Sequence, residues 1–301
     1  LVINSLLSAP SAWLTFVVSA TLAGVNGFHR PALDAMTPRL VDREDLTAVS
    51  ALNMFRFSVS AIAGPAIGGI SIAVLGFSMT YMIDVLSFFL SLLALAAIRS
   101  MPPKDNTSRP GMRSILEGWN YARSRPELIG TYAVDLVAMT FAMPMALFPA
   151  MAANWGGASA VGWLYSAMSF GSLFTSLLSG WTSRIERHGA AVIIAAGIWG
   201  IAIIALGFAP TLTAAVLCLA VAGAADTVSA LFRGTIWNET IPSELRGRLS
   251  GMEMISFSSG PMLGNARAGW VASISSNTMS VVSGGVLCFA GVLLCVPILP
   301  A

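Results

Sequence analysis

Six charged residues sit where charge is hard to keep. Arg56, Asp84, Asp135, Asp226, Arg233 and Glu253 all fall inside long apolar runs. In hydrocarbon such a side chain must be paired or wet, so each one marks an ion pair or an ion pathway. At a helical rise of about 1.5 Å per residue, Arg56 lies about 14 Å in from Thr47 and Asp135 about 12 Å in from Glu127. Asp84 is shallower, roughly 8 Å from the outer end of its run. A carboxylate at mid-membrane can take up and release a proton, and a nearby guanidinium can hold it. Arg56, Asp135 and Asp84 are therefore the candidates for transport and proton coupling. Asp226 and Arg233 are two helical turns apart and share a face. With Glu253 at a similar depth in the next run, they are expected to form a polar cluster toward the cytoplasm.

No other chemistry is encoded. There is no nucleophile with a positioned base, no pair of catalytic carboxylates and no phosphate-cradling glycine loop, which argues against an enzyme and against a nucleotide-driven pump. Cys218, Cys288 and Cys295 stand alone in apolar runs, without metal-ligand spacing, and read as small packing residues. No metal or cofactor is expected. His29 lies toward a helix end beside Arg30 and Asp34. It reads as an interfacial residue.

A second constellation is structural. "SAIAGPAIGG" places Gly64, Pro65, Gly68 and Gly69 inside an apolar run, and "SFSSGPMLGN" repeats the pattern with Gly260, Pro261 and Gly264. Glycine lets a second helix approach closely in a membrane, and proline removes a backbone hydrogen bond. The pair of motifs predicts two close helix contacts that seal one side of the molecule and hinge during exchange.

These residues need helices to carry them, and composition supplies the setting. The chain is 56% hydrophobic, 10% charged, and its mean hydropathy is +0.78, against roughly 25% charge in a soluble domain. Apolar runs cover Ser11–Met36, Thr47–Val74, Met79–Ile98, Glu127–Ala150, Ala158–Thr182, Ala190–Phe208, Thr211–Trp237, Leu249–Ser273 and Met279–Leu299. Each approaches or exceeds the roughly 20 residues that cross a bilayer. The expected fold is an all-α membrane protein with about nine complete transmembrane helices plus the end of a tenth at Leu1–Leu7. Twelve of the 16 Lys and Arg fall in alternate gaps, after the first, third, fifth and seventh runs. Positive charge marks the cytoplasmic side, which puts the C-terminus there as well. That pattern accounts for the net charge of +2 through the lipid bilayer, without a nucleic-acid partner.

The longest polar interval divides the chain. Residues 1–98 form the remainder of a first half, 99–126 a cytoplasmic central loop, and 127–301 a second half of six helices. Within the loop, "MRSILEGWNYARSR" reads as an amphipathic helix on the membrane surface. The Gly-Pro motifs are offset by about 196 residues, which puts the start of a matching first half roughly 70 residues before Leu1. Six plus six parallel repeats are the organisation of major facilitator transporters.

The resemblance runs along the whole chain. "GFHRPALDAMTPRLVDREDLTAVSALN", "GPAIGG", "ILEGWNYARSRPEL", "ALFPAMAANWGGASAVGWLYSAMSFGS" and "IPSELRGRLSGM" resemble, in order, segments of major facilitator exporters related to the bacterial enterobactin exporter. The resemblance implies a secondary active exporter working by alternating access in the bacterial inner membrane, coupled to protons. Its cargo would be a small amphipathic molecule, such as a siderophore or a drug. Two departures stand out: "GWTSRIERHG" lacks the aspartate usual in that loop, and no arginine precedes "GVNG" on the fourth helix. They leave a transport-inactive sensor or assembly protein as the alternative class.

Overall fold

A computed structural model describes residues 4, 11–22, 24–25, 46–97, 119–242, 245–297 and 299. The chain forms two compact units, Leu1–Pro103 and Lys104–Ala301. In the first, α1 spans Ala12–Leu22 and α2 spans Leu46–Ala96. Two runs with a loop at Gly76 are expected there. The chain breaks there: Gly76 leaves helical dihedrals, at φ 75° and ψ 172°, and divides α2 into two helical segments. No Pro, Asn or Asp accompanies it to build a longer turn, so the helix resumes at once. Among the described residues of α2, Gly69 alone is buried, and Arg56 and Asp84 are exposed. A Cβ placed on Gly64 or Gly68 would meet nothing within 4 Å.

The second unit holds the core. Its helices are α3 (Pro126–Ala142), α4 (Phe148–Ala152), α5 (Ala158–Leu177) and α6 (His188–Gly207). They are followed by α7 (Leu212–Thr240), α8 (Arg246–Ile274) and α9 (Asn277–Cys295). Local chemistry sets several ends. Pro126 opens α3 at a position where its missing N–H is harmless. The Thr211 and Ser276 hydroxyls accept the N–H of Ala214 and Met279, capping α7 and α9. Gly156 and Gly157, both at positive φ, turn the chain between α4 and α5. The central loop also folds inward. Residues 119–123 are helical, the Tyr121 hydroxyl donates to the Thr240 carbonyl at 2.6 Å, and Ala122 packs with Leu128, Ile241 and Leu249.

Among the described residues, five helical stretches are long and apolar enough to cross a membrane: Ala63–Ala96, Pro126–Ala152, His188–Gly207, Leu212–Thr240 and Asn277–Cys295. α5 and α8 are outside that set because both carry polar side chains, such as Ser169 and Ser172 on α5 and Asn265 and Arg267 on α8.

Glycine brings the helices together. Each of Gly171 and Gly223 stands where a Cβ would strike the backbone of the facing helix, joining α5 to α7. Gly285 does the same for α9 against α6, where a Cβ on Gly200 would also crowd the Gly285 carbonyl, and Gly260 and Gly264 lay α8 against Met139 and Met143. Without a solvent-driven hydrophobic effect between helices, such close packing holds a membrane bundle.

The run expected as one helix over Glu127–Ala150 is broken. Pro144 has no N–H to offer, so α3 stops at Ala142 and a short 3-10 turn, Met145–Leu147, leads into α4. α8 repairs the break. Arg267 donates to the freed Phe141 carbonyl at 2.8 Å, and also to the Ser280 carbonyl at 3.2 Å and the Ser283 hydroxyl at 2.8 Å. The Asn265 side chain accepts the Ala146 N–H at 2.9 Å.

Gly264→Leu should therefore lower stability by about 1–3 kcal/mol or more through overpacking. Gly269→Leu, on the same helix where a Cβ meets nothing within 4 Å, should stay within about 0.5 kcal/mol. Thermal unfolding of the two variants in detergent measures the difference.

Candidate functional site: a charged cavity in the second unit

α3 carries Asp135 and Met139 four residues apart on one face, and Met143 follows as its extended C-terminal cap. α7 presents Asp226, Ala230, Arg233 and Trp237 at intervals of four, three and four, again on one face. The two faces meet across a cavity of about 340 Å³, closed by Met168, Ser169 and Ser172 of α5, Trp199 of α6 and Pro261 of α8.

Its charged wall is a three-membered array. The Arg233 guanidinium forms an ion pair with Asp135 and lies 3.8 Å from Asp226. Asp135 is buried at 8% side-chain exposure, whereas Asp226 is at 36%. Two carboxylates therefore share one guanidinium, one tightly and one loosely. With both ionised, the array carries a net charge of −1.

The apolar wall is soft and aromatic. Met139, Met143, Met145 and Met168 contribute flexible thioethers that adapt to irregular shapes. The Trp237 indole N–H donates to the Thr131 hydroxyl at 2.8 Å, and its ring lies 5.0 Å from that of Tyr132. The Tyr165 hydroxyl reaches the Met145 carbonyl at 3.2 Å and fixes the turn after the α3 break. Two buried donors stand on the cavity wall. Among the described residues, no acceptor reaches Trp199 Nε1 or Arg233 Nε, both of them buried.

The structure thus brings together Asp226 and Arg233, the residues two turns apart, and adds Asp135 to them. The Glu253 side chain lies outside the described residues, so its place in a cytoplasmic cluster is not described. Of the second Gly-Pro motif, Pro261 lines the cavity while Gly260 and Gly264 press on Met139. Sequence reasoning missed the methionines, Trp199 and the Arg267 brace. The four-residue spacing of Asp135 and Met139 is the signal that points to a common face.

Removing Arg233 should strand a buried carboxylate. Arg233→Met is expected to lower stability by about 3–5 kcal/mol, and Asp135→Leu combined with Arg233→Met should recover most of that loss. Unfolding midpoints of the two single variants and the double variant give the coupling.

Comparison with known proteins agrees with this architecture. Enterobactin exporter EntS of Shigella boydii serotype 18 is 29% identical over 298 residues, covering 98% of this chain and 71% of that protein. The enterobactin exporters of Escherichia coli O1:K1 and Citrobacter koseri show the same 29% identity over the same 98% and 71% shares. These are transporters, and the apolar helices accord with a multi-pass protein of the bacterial inner membrane. Residues 1–299 match the transmembrane secretion effector family across nearly the full sequence, and the chain belongs to that family of the major facilitator superfamily.

Proposed function

We propose that this protein is a secondary active exporter that works by alternating access and couples export of a small amphipathic molecule to proton movement. The observation that carries the reading is the Asp135–Arg233–Asp226 array on the wall of a cavity. One proton neutralises that array. Asp226, held loosely at 3.8 Å, can give or take it while Asp135 keeps Arg233 in place. Cargo entering the cavity competes for Arg233, and the competition links cargo to proton. Asp135 then acts in coupling by holding the Arg233 that Asp226 and cargo compete for, with Arg56 and Asp84 as the coupling candidates of the first unit. The motif at Gly260-Pro261 supplies a close contact about which helices exchange position, and Gly64-Pro65 is the corresponding hinge candidate of the first unit.

The cavity also supports a cargo class. Methionine and aromatic walls suit a flat apolar body, and the Arg233 guanidinium on the cavity wall suits oxygen acceptors on it. Enterobactin, the cargo named for the relatives, is the first candidate. A lipophilic drug with ring oxygens fits the same description.

The test is transport by reconstituted protein in proteoliposomes under a pH gradient, with enterobactin as the probe. Wild type should concentrate it. Asp135→Asn should lose uphill accumulation and keep downhill exchange, which needs no net proton movement. Uphill accumulation by Asp135→Asn would assign Asp135 a purely structural role and move the coupling to Asp84 or Glu253.

A further inference from the structure

A second hollow lies on the outside of the second unit, between α6 and α7, and takes no part in the charged cavity. Its volume is about 560 Å³. Its floor is built from small or buried side chains, Ala195, Ala225 and Phe232, which are 2%, 5% and 2% exposed. Its rims are bulky and exposed, with Ile194 and Ile198 on α6 and Val221 on α7. Alanines between rows of β-branched residues leave a trough along the helix pair.

The trough has a polar end and an apolar end. Arg187 is the one charged residue on its wall, beside Trp181. Both stand at the basic loop that the positive-inside pattern assigns to the cytoplasmic surface. From Arg187 to Ile198 on α6, and from Phe232 to Val221 on α7, the walls run about 16 Å at helical rise. That matches one leaflet, about half of a 30 Å hydrocarbon core. α6 also begins here, at His188, and its first amide groups favour an anion at this end. Of the nearby acids, Glu239 is 3.6 Å from His188 and Glu186 is exposed in the loop. Neither lines the trough.

We propose that the trough is a binding site for an anionic phospholipid of the cytoplasmic leaflet, with one acyl chain along α6 and α7 and the phosphate on Arg187. The charge at the mouth, the length of the walls and the absence of polar side chains deeper in all fit that occupant. The site rests on the membrane placement of the chain and is independent of the coupling scheme.

Native mass spectrometry of the detergent-purified protein, loaded with dioleoyl phosphatidylglycerol or dioleoyl phosphatidylcholine, tests it. Wild type should retain phosphatidylglycerol about fivefold over phosphatidylcholine, the factor expected for one basic residue at an anionic headgroup. Arg187→Gln, at an exposed position that leaves the core intact, should abolish that preference while phosphatidylcholine retention persists. Ala224→Phe should fill the trough and reduce retention of both lipids. Arg123→Gln, at another exposed arginine, should change nothing. Equal phosphatidylglycerol retention in wild type and Arg187→Gln, or an equal loss in Arg123→Gln, would overturn the assignment. Splitting of a dimer by Ala224→Phe with lipid retention unchanged would also overturn it, by making a second copy the occupant.

Discussion

An arginine that enters a bilayer on α7 has to meet a carboxylate there, because neither lipid tails nor alanines replace the water it has lost. Arg233 meets two, Asp135 from α3 and Asp226 from its own helix. The pairing fixes the rotation of α3 against α7, and with it which side chains face inward. Met139 follows Asp135 onto the cavity wall by helical spacing, Met143 reaches it from the cap just beyond α3, and Trp237 follows Arg233. The sharing also leaves the array short of one positive charge, and a proton can supply it.

The backbone obeys the same constraint. Buried polar groups of the main chain need partners inside the fold, and the break at Pro144 frees one at Phe141. Arg267 of α8 answers it, alongside the Asn265–Ala146 bond. The same helix lays Gly260 and Gly264 on Met139, one turn beyond Asp135. The glycine contact of α8 thus lies one turn from the carboxylate on α3. The glycine motif and the charge array are two ends of one contact.

Much of this was readable from residue types. Apolar runs and alternating basic gaps announced a helical membrane protein, and the Asp226–Arg233 spacing placed both on one face. The arrival of Asp135 beside Arg233 was not readable, because it depends on how α3 is turned against α7. Glu253 looked equally suitable by depth alone. The break after Ala142 could have been anticipated from Pro144, yet the high hydropathy around it made a single span the natural reading. The break at Gly76 was readable, because the apolar runs pause there, and that one glycine at positive φ divides α2 into two helices. Arg267 was passed over since its partners are mostly backbone carbonyls, which sequence does not display.

The most direct measurement is infrared difference spectroscopy of the purified protein on addition of enterobactin, in the carbonyl-stretch region of protonated carboxyl groups. If the array exchanges a proton with cargo, wild type should show a carboxyl band that changes on binding and shifts in deuterium oxide. That band should vanish in the Asp135→Asn, Asp226→Asn double variant. The same band, undiminished in the double variant, would contradict a proton held between Asp135, Arg233 and Asp226.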